Sequence, residues 1–192
     1  MTDDALFALE AVVVAQPKRS RWRTYRGPAL AVSTVEGTPL AHVTHIDDTL
    51  YHLTKPSGEL VVRIERHTAF WQFGPVRFRF LDAVDREVGS AEARGLVKSA
   101  QLSLRTERQR ALLLTRLGLS TQWRLAETDP LEDPAAEALG TVTVSTIDAW
   151  LGLQQYVVRA DPRLDASERR TLLASVACLH LVRRPPGSSA PG

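Results

Sequence analysis

The stretch QPKRSRWRTYR, residues 16–26, carries the densest set of groups able to hold a ligand. Lys18, Arg19, Arg21, Arg23 and Arg26 place five cations in nine residues, with Trp22 and Tyr25 among them. No acidic residue falls between Glu10 and Glu36 to neutralise them. Guanidinium forks match the oxygens of a phosphate two at a time. Aromatic rings among cations settle where an apolar layer meets water, or stack on bases. An anionic lipid surface attracts such a segment by about 1 kcal/mol per cation. Lys18, Arg19, Arg21, Trp22, Arg23 and Arg26 are therefore the expected ligand-binding residues, for an anionic lipid head group or another phosphate ligand. The competing reading is a solvated loop between two strands.

The segment HVTHIDD, residues 42–48, joins two histidines to Asp47 and Asp48, donors that suit a metal ion. Strand geometry opposes that use. Residues three apart on a strand point to opposite faces, so His42 and His45 diverge and no metal site is expected. His52 and His67 stand alone on predicted strands, and His180 lies in an apolar helical segment. A core histidine bonded to a backbone carbonyl is the expected state of His180, with pH sensitivity as the alternative. Trp71 and Trp150 read as core or rim aromatics; exposed together, they would form a docking patch for a protein partner. The chain has no Gly-rich phosphate loop, nucleophile elbow or H-E-x-x-H motif, and no carboxylates spaced for acid–base work. No catalytic residue and no cofactor is expected. Cys178, the single cysteine, allows no internal disulfide and no thiolate zinc cluster, and reads as a small core residue.

The elements that must position these groups are mostly strands. In VRFRF, residues 76–80, Phe78 and Phe80 point one way and Arg77 and Arg79 the other. Leu60, Val62 and Ile64 share one face against Arg63 and Glu65. That two-residue period marks half-buried strands. Turns centre near residues 36, 57, 85, 108 and 130, a hairpin every twenty-odd residues. With a first strand over residues 6–15 and a last one over 152–160, the count reaches about 12, the pattern of an all-β barrel or sandwich.

The pattern changes at LDASERRTLLASVACLHLVRRPP. Asp165 and Glu168 form a capping box, Arg183 and Arg184 suit the negative end of the helix dipole, and Pro185 and Pro186 stop the helix. About 19 helical residues at about 1.5 Å each give roughly 28 Å. Residues 171–182 are apolar except Thr171, Ser175 and His180, so the helix must be surrounded. Nothing else in the chain is strongly helical, so sheet must do it. A barrel of about 12 strands is wide enough to hold more than its own side chains. The expected fold is mainly β: a closed antiparallel β-barrel of about 12 strands around a central hydrophobic C-terminal helix, one domain over residues 5–184. Residues 185–192 read as a disordered Pro/Gly/Ser tail.

A chain of 192 residues with 44% apolar residues has material for one sizeable core. A net charge of +2 does not point to nucleic acid, and none is expected as a partner. Asp3 and Asp4 stand before the first apolar stretch, where an export signal carries positive charge. The C-terminal apolar segment is shorter than the roughly 20 residues that span a bilayer. A cytoplasmic protein without a transmembrane span is expected, with peripheral attachment to a membrane as the companion of lipid binding.

Strand–turn–strand units ending in one apolar helix resemble the tubby C-terminal-like superfamily, which includes tubby domains, phospholipid scramblases and LURP-one-related proteins. The resemblance is carried by VVVAQPKRS, the EG and SG turns, LDAVDREVGS, and YVVRADPRLDASERRTLLASVACL. It runs from about residue 6 to 184 and looks most like the small bacterial scramblase-like or LURP-one-like members. It implies a barrel around a central helix, and a non-catalytic module binding phosphoinositide or other anionic head groups through surface cations. Of the two glycines usual in the middle segment of the group, only Gly89 stands here, with Asp85-Arg86 at the turn. No acidic calcium loop and no cysteine cluster for acylation is present, so calcium-activated scrambling is not implied. A barrel that docks a protein partner, with no lipid ligand, is the alternative function.

Overall fold

Burial alternates residue by residue from Val76 to Phe80, with Phe78 and Phe80 inside and Arg77 and Arg79 exposed. The same alternation recurs around the whole sheet and defines an inner and an outer face. The computed structural model describes residues 4–17, 29–68, 75–93, 100–133, 135–148 and 153–183. In chain order the elements are α1 (Asp4–Phe7), β1 (Ala11–Ala15), β2 (Leu30–Ser33), β3 (Pro39–Asp47), β4 (Leu50–Thr54), β5 (Leu60–Thr68) and β6 (Val76–Leu81). They continue with β7 (Glu87–Ala93), β8 (Gln101–Thr106), β9 (Ala111–Arg116), β10 (Gln122–Ala126), β11 (Gly140–Asp148), β12 (Leu153–Ala160) and α2 (Ala166–Arg183).

The twelve strands form a closed antiparallel barrel in which each pairs with its neighbours in sequence. β1 closes the ring against β12, with Val14 opposite Tyr156. Closure leaves no strand edge unpaired. Tight turns make this meander possible. Gly37 and Gly58 adopt positive φ in two of them, and Asp85 and Gln109 do so in two more. Asp82 helps hold one of these turns by accepting hydrogen bonds from the amides of Val84 and Arg86.

The barrel is filled by α2. Residues 171–181 are buried without a break, so the helix is covered on every side. The two hydroxyls of this buried run avoid a desolvation cost by bonding back along the helix. Thr171 Oγ1 donates to the Ser167 carbonyl at 3.1 Å and Ser175 Oγ to the Leu172 carbonyl at 2.7 Å. Charged side chains instead decorate the outer wall: Arg63 pairs with Glu65, Arg77 with Glu92 and Arg79 with Glu87. An apolar interior with charges outside is the reverse of the alternation in a transmembrane barrel.

The start of α2 is held by the expected capping box. Glu168 N donates to Asp165 Oδ1 at 2.9 Å, and Asp165 N donates to Glu168 Oε2 at 3.0 Å. Glu168 is buried, and Arg110 answers its charge at 2.8 Å. Hydrogen bonds from Arg110 to Glu168 and Glu127 push the guanidinium's pKa upward. Removing Glu168 takes away half of the cap and the buried partner of Arg110, which keeps Glu127 at 2.8 Å. Glu168→Ala is accordingly expected to cost about 1–2 kcal/mol in urea unfolding. A loss below about 0.5 kcal/mol, the level of ordinary surface substitutions, would show that this end of the helix is not held by the pair.

The first strand departs from the expectation. Residues 6–15 do not form one strand: α1 occupies Asp4–Phe7 and pairing begins only at Ala11. β12 ends at Ala160, opposite Gly140, and its last backbone bond to this segment runs from the Ala160 amide to the Glu10 carbonyl at 2.9 Å. The chain instead crosses the barrel end. Leu6 and Phe7 are buried there, and Arg169 Nη1 donates to the carbonyls of Phe7, Ala8 and Leu9.

Candidate functional site

The start and the last turns of α2 lie at opposite ends of the barrel. Around the start of α2, cations and carboxylates are matched. Glu107 accepts from Ser167 at 3.1 Å and from Arg170 at 2.8 Å, and Arg86 pairs with it at 3.3 Å. Arg108 reaches Asp165 at 3.1 Å. Arg163 holds Asp161, whose pKa falls to about 2 because its carboxylate accepts from that side chain and backbone. These contacts tie the turns to α2 and close that end.

The other end surrounds the last turns of α2. Ala15 of β1 and Leu30 of β2, the strand ends flanking residues 18–28, lie at this mouth, as the antiparallel registers require. The strand ends flanking residues 69–74, 94–99 and 149–152 lie there too. Lys18, Arg19, Arg21, Trp22, Arg23 and Arg26 fall outside the described residues, as do Trp71, Trp150 and the 185–192 tail.

Among the described residues, polar groups enter the interior at this mouth on two sides. On the β1/β12 side, Gln16 Oε1 accepts from the Gln154 amide at 2.9 Å. Tyr156 donates its hydroxyl to Gln154 Oε1 at 2.9 Å. The same hydroxyl lies 3.0 Å from His180 Nδ1. His180 is buried, as expected, with its Nδ1 in hydrogen-bond reach of the Tyr156 hydroxyl.

On the β3–β5 side, His45, Tyr51 and Arg66 share the inner face. His45 stands opposite Tyr51, and Tyr51 opposite Ile64, all on inward registers. The His45 and Tyr51 rings lie 5.2 Å apart at 37°. Burial raises the Tyr51 pKa, and the nearby Arg66 charge opposes that rise. His42 faces outward, with its Nε2 2.9 Å from Thr54 Oγ1, so the two histidines of HVTHIDD do diverge. Among the described residues, no group of three or more His, Cys, Asp or Glu side chains is placed to hold a metal ion. Cys178 is buried in α2, and desolvation holds its thiol pKa high. Burial, with help from Arg63, lowers the pKa of His52.

Sequence reasoning missed Arg66. Its signal was present in RIER, residues 63–66, where the two-residue period that buries Ile64 also turns Arg66 inward. No helix among the described residues is long and apolar enough to cross a membrane, which says nothing of membrane crossing by strands. No family model, no curated protein and no solved structure matches this chain.

Proposed function

We propose that this barrel is a non-catalytic binding module for a phosphate-bearing anionic ligand, a lipid head group foremost, and that it belongs with the tubby-like and scramblase-like barrels. The observation that supports the reading is that the strands flanking the cation run deliver it to one mouth of the barrel, away from the ion pairs at the start of α2. Carboxylates answer the cations around the start of α2. The strand ends flanking the cation run at residues 18–26 lie at the opposite mouth. A helix held inside a closed barrel supports the family reading. Attachment at the surface of a membrane follows from the same reading.

The protein-docking alternative needs a contiguous apolar patch. Among the described residues the exposed large apolar side chains are dispersed over separate turns and strand ends. Val35, Val84 and Leu131 stand at one end of the barrel, and Ile46, Leu119 and Ile147 at the other.

Sedimentation with vesicles tests it. The protein is expected to bind anionic and not neutral vesicles, and to release them at high salt. Replacing Lys18, Arg19, Arg21, Arg23 and Arg26 by Ala removes about 1 kcal/mol each and should weaken binding on the order of a thousandfold. Binding that survives both high salt and the fivefold substitution would overturn the reading.

A further inference from the structure

The segment before β1 sits on the barrel end as a piece outside the strand ladder. α1 packs against α2. Leu6 and Phe7 are 3% and 5% exposed and join the core there, with Leu9 packed against it. Ala8 and Glu10, on either side of Leu9, are exposed. Among the described residues, the backbone bond that ties this segment to the sheet is the one from the Ala160 amide to the Glu10 carbonyl.

Arg169 supplies the polar contact, and its placement does not depend on the segment. Nε donates to the Leu164 carbonyl at 2.9 Å and Nη2 to the Asp161 carbonyl at 3.2 Å, both in the turn that leads into α2. Those two bonds fix the plane of the guanidinium and leave Nη1 for the barrel end. Nη1 donates to the carbonyls of Phe7, Ala8 and Leu9 at 3.2, 3.2 and 3.3 Å. These carbonyls lie at and just past the end of α1, where a helical turn leaves its last acceptors without amide partners. A nitrogen with two hydrogens cannot satisfy three acceptors at full strength.

Packing under the segment is incomplete as well. A cavity of about 20 Å³ is left between it and α2, with Leu6, Phe7, Leu9, Val12, Leu172 and Leu173 among its walls. Side chains that face such a gap lose contacts on one side, which weakens the seating. The segment thus lies in a slot that it does not fill. Two apolar side chains and a few carbonyls hold it, and none of these contacts requires that it belong to the same chain.

We propose that this barrel end is a docking slot for a short helical turn with two apolar side chains, filled here by the chain's own residues 6–9, and that the same segment of a second copy exchanges into it. A second copy fits because its segment brings identical side chains and carbonyls, and Ala8 and Glu10 supply the hinge that an exchange needs. In its own chain the segment acts at a roughly millimolar effective concentration, so exchange is suppressed until that contact is weakened. The slot lies at the end of the barrel away from the cation run, and the proposal does not rest on the phosphate reading. A fixed plug, inseparable from the barrel, is the competing account.

The test adds a synthetic peptide of residues 2–10, standing in for the segment of a second copy, to the isotopically labelled full chain. NMR follows the amide signals of Arg169, Leu172 and Leu173. The wild-type chain, its slot filled, should respond weakly. Leu6→Ser with Phe7→Ser empties the slot, and the peptide should bind this variant at least about tenfold tighter. Adding Arg169→Gln should remove that gain, because the three carbonyls lose their donor. Circular-dichroism melts show which variants keep the barrel. If the double variant does not, Phe7→Ala alone takes its place, with a gain of about threefold expected. If Arg169→Gln unfolds the weakened chain, Arg169→Lys replaces it and should lose part of the gain. Peptide binding no tighter in a folded, weakened variant than in the wild type overturns the slot. So does a gain that survives the loss of Arg169. A barrel that fails to fold with Phe7→Ala alone shows a segment integral to the fold and overturns the proposal in favour of the plug.

Discussion

Ala174→Arg is expected to abolish cooperative folding. Ala174 lies midway along α2, 1% exposed, within the continuous buried run of residues 171–181. The new side chain must displace packed neighbours, which alone costs about 1–3 kcal/mol or more. Its charge would also lie in an interior where the effective penalty is several kcal/mol per ion. Together these exceed about 5 kcal/mol, the low end of a domain's whole stability. Soluble yield and a circular-dichroism melt measure the result. Val84→Arg is the matched control, because Val84 is 80% exposed on a turn and should shift stability by less than about 0.5 kcal/mol. A cooperative melt of Ala174→Arg close to that of the wild type would mean that the helix does not fill the barrel.

Gly89→Ala should be nearly as informative for its size. A Cβ at Gly89 would lie 2.9 Å from Thr171 Oγ1, 3.0 Å from the Arg105 carbonyl oxygen and 3.2 Å from Phe80 Cδ2. Its φ of 153° adds backbone strain for any other residue. One methyl group there should cost about 3 kcal/mol, since two of the three contacts are with a helix side chain and a core ring. Thr171→Ala in the same chain removes the closest atom and should recover about 1 kcal/mol as a coupling energy. Recovery stays partial because the Arg105 carbonyl cannot move without breaking the β7–β8 ladder. Strict additivity of the two substitutions in urea unfolding would show that α2 does not press on β7. Gly140 on β11 makes the equivalent approach elsewhere on the wall, where a Cβ would meet the Arg159 carbonyl oxygen at 2.8 Å and Leu172 Cδ2 at 3.4 Å. Both sites follow from one requirement: a sheet that wraps a helix needs room where the helix enters.

Much of this architecture is written locally, and the reason is periodicity. Phe78 and Phe80 against Arg77 and Arg79 define inside and outside without knowledge of any neighbour. Asp165 and Glu168 mark the helix start because the capping box spans only four residues. An apolar helix in a chain otherwise made of strands can be covered only by sheet, and that argument reaches the closed barrel from composition alone. What escaped was whatever depends on distant partners. α1 has too few residues for a period, and its place over the barrel end depends on Leu6 and Phe7 being buried there and on Arg169, far along the chain. The cation run at residues 18–26 is legible as charge, yet its spatial arrangement is not a property of the run itself. For Arg66 the sequence determined the inward parity, through its spacing from Val62 and Ile64. Only the tertiary structure decided that it stands opposite Phe78 and beside Tyr51. The physical reason is that alternation is set by backbone sterics within one strand, whereas the surroundings of a side chain are set by whichever elements the closing barrel brings against it.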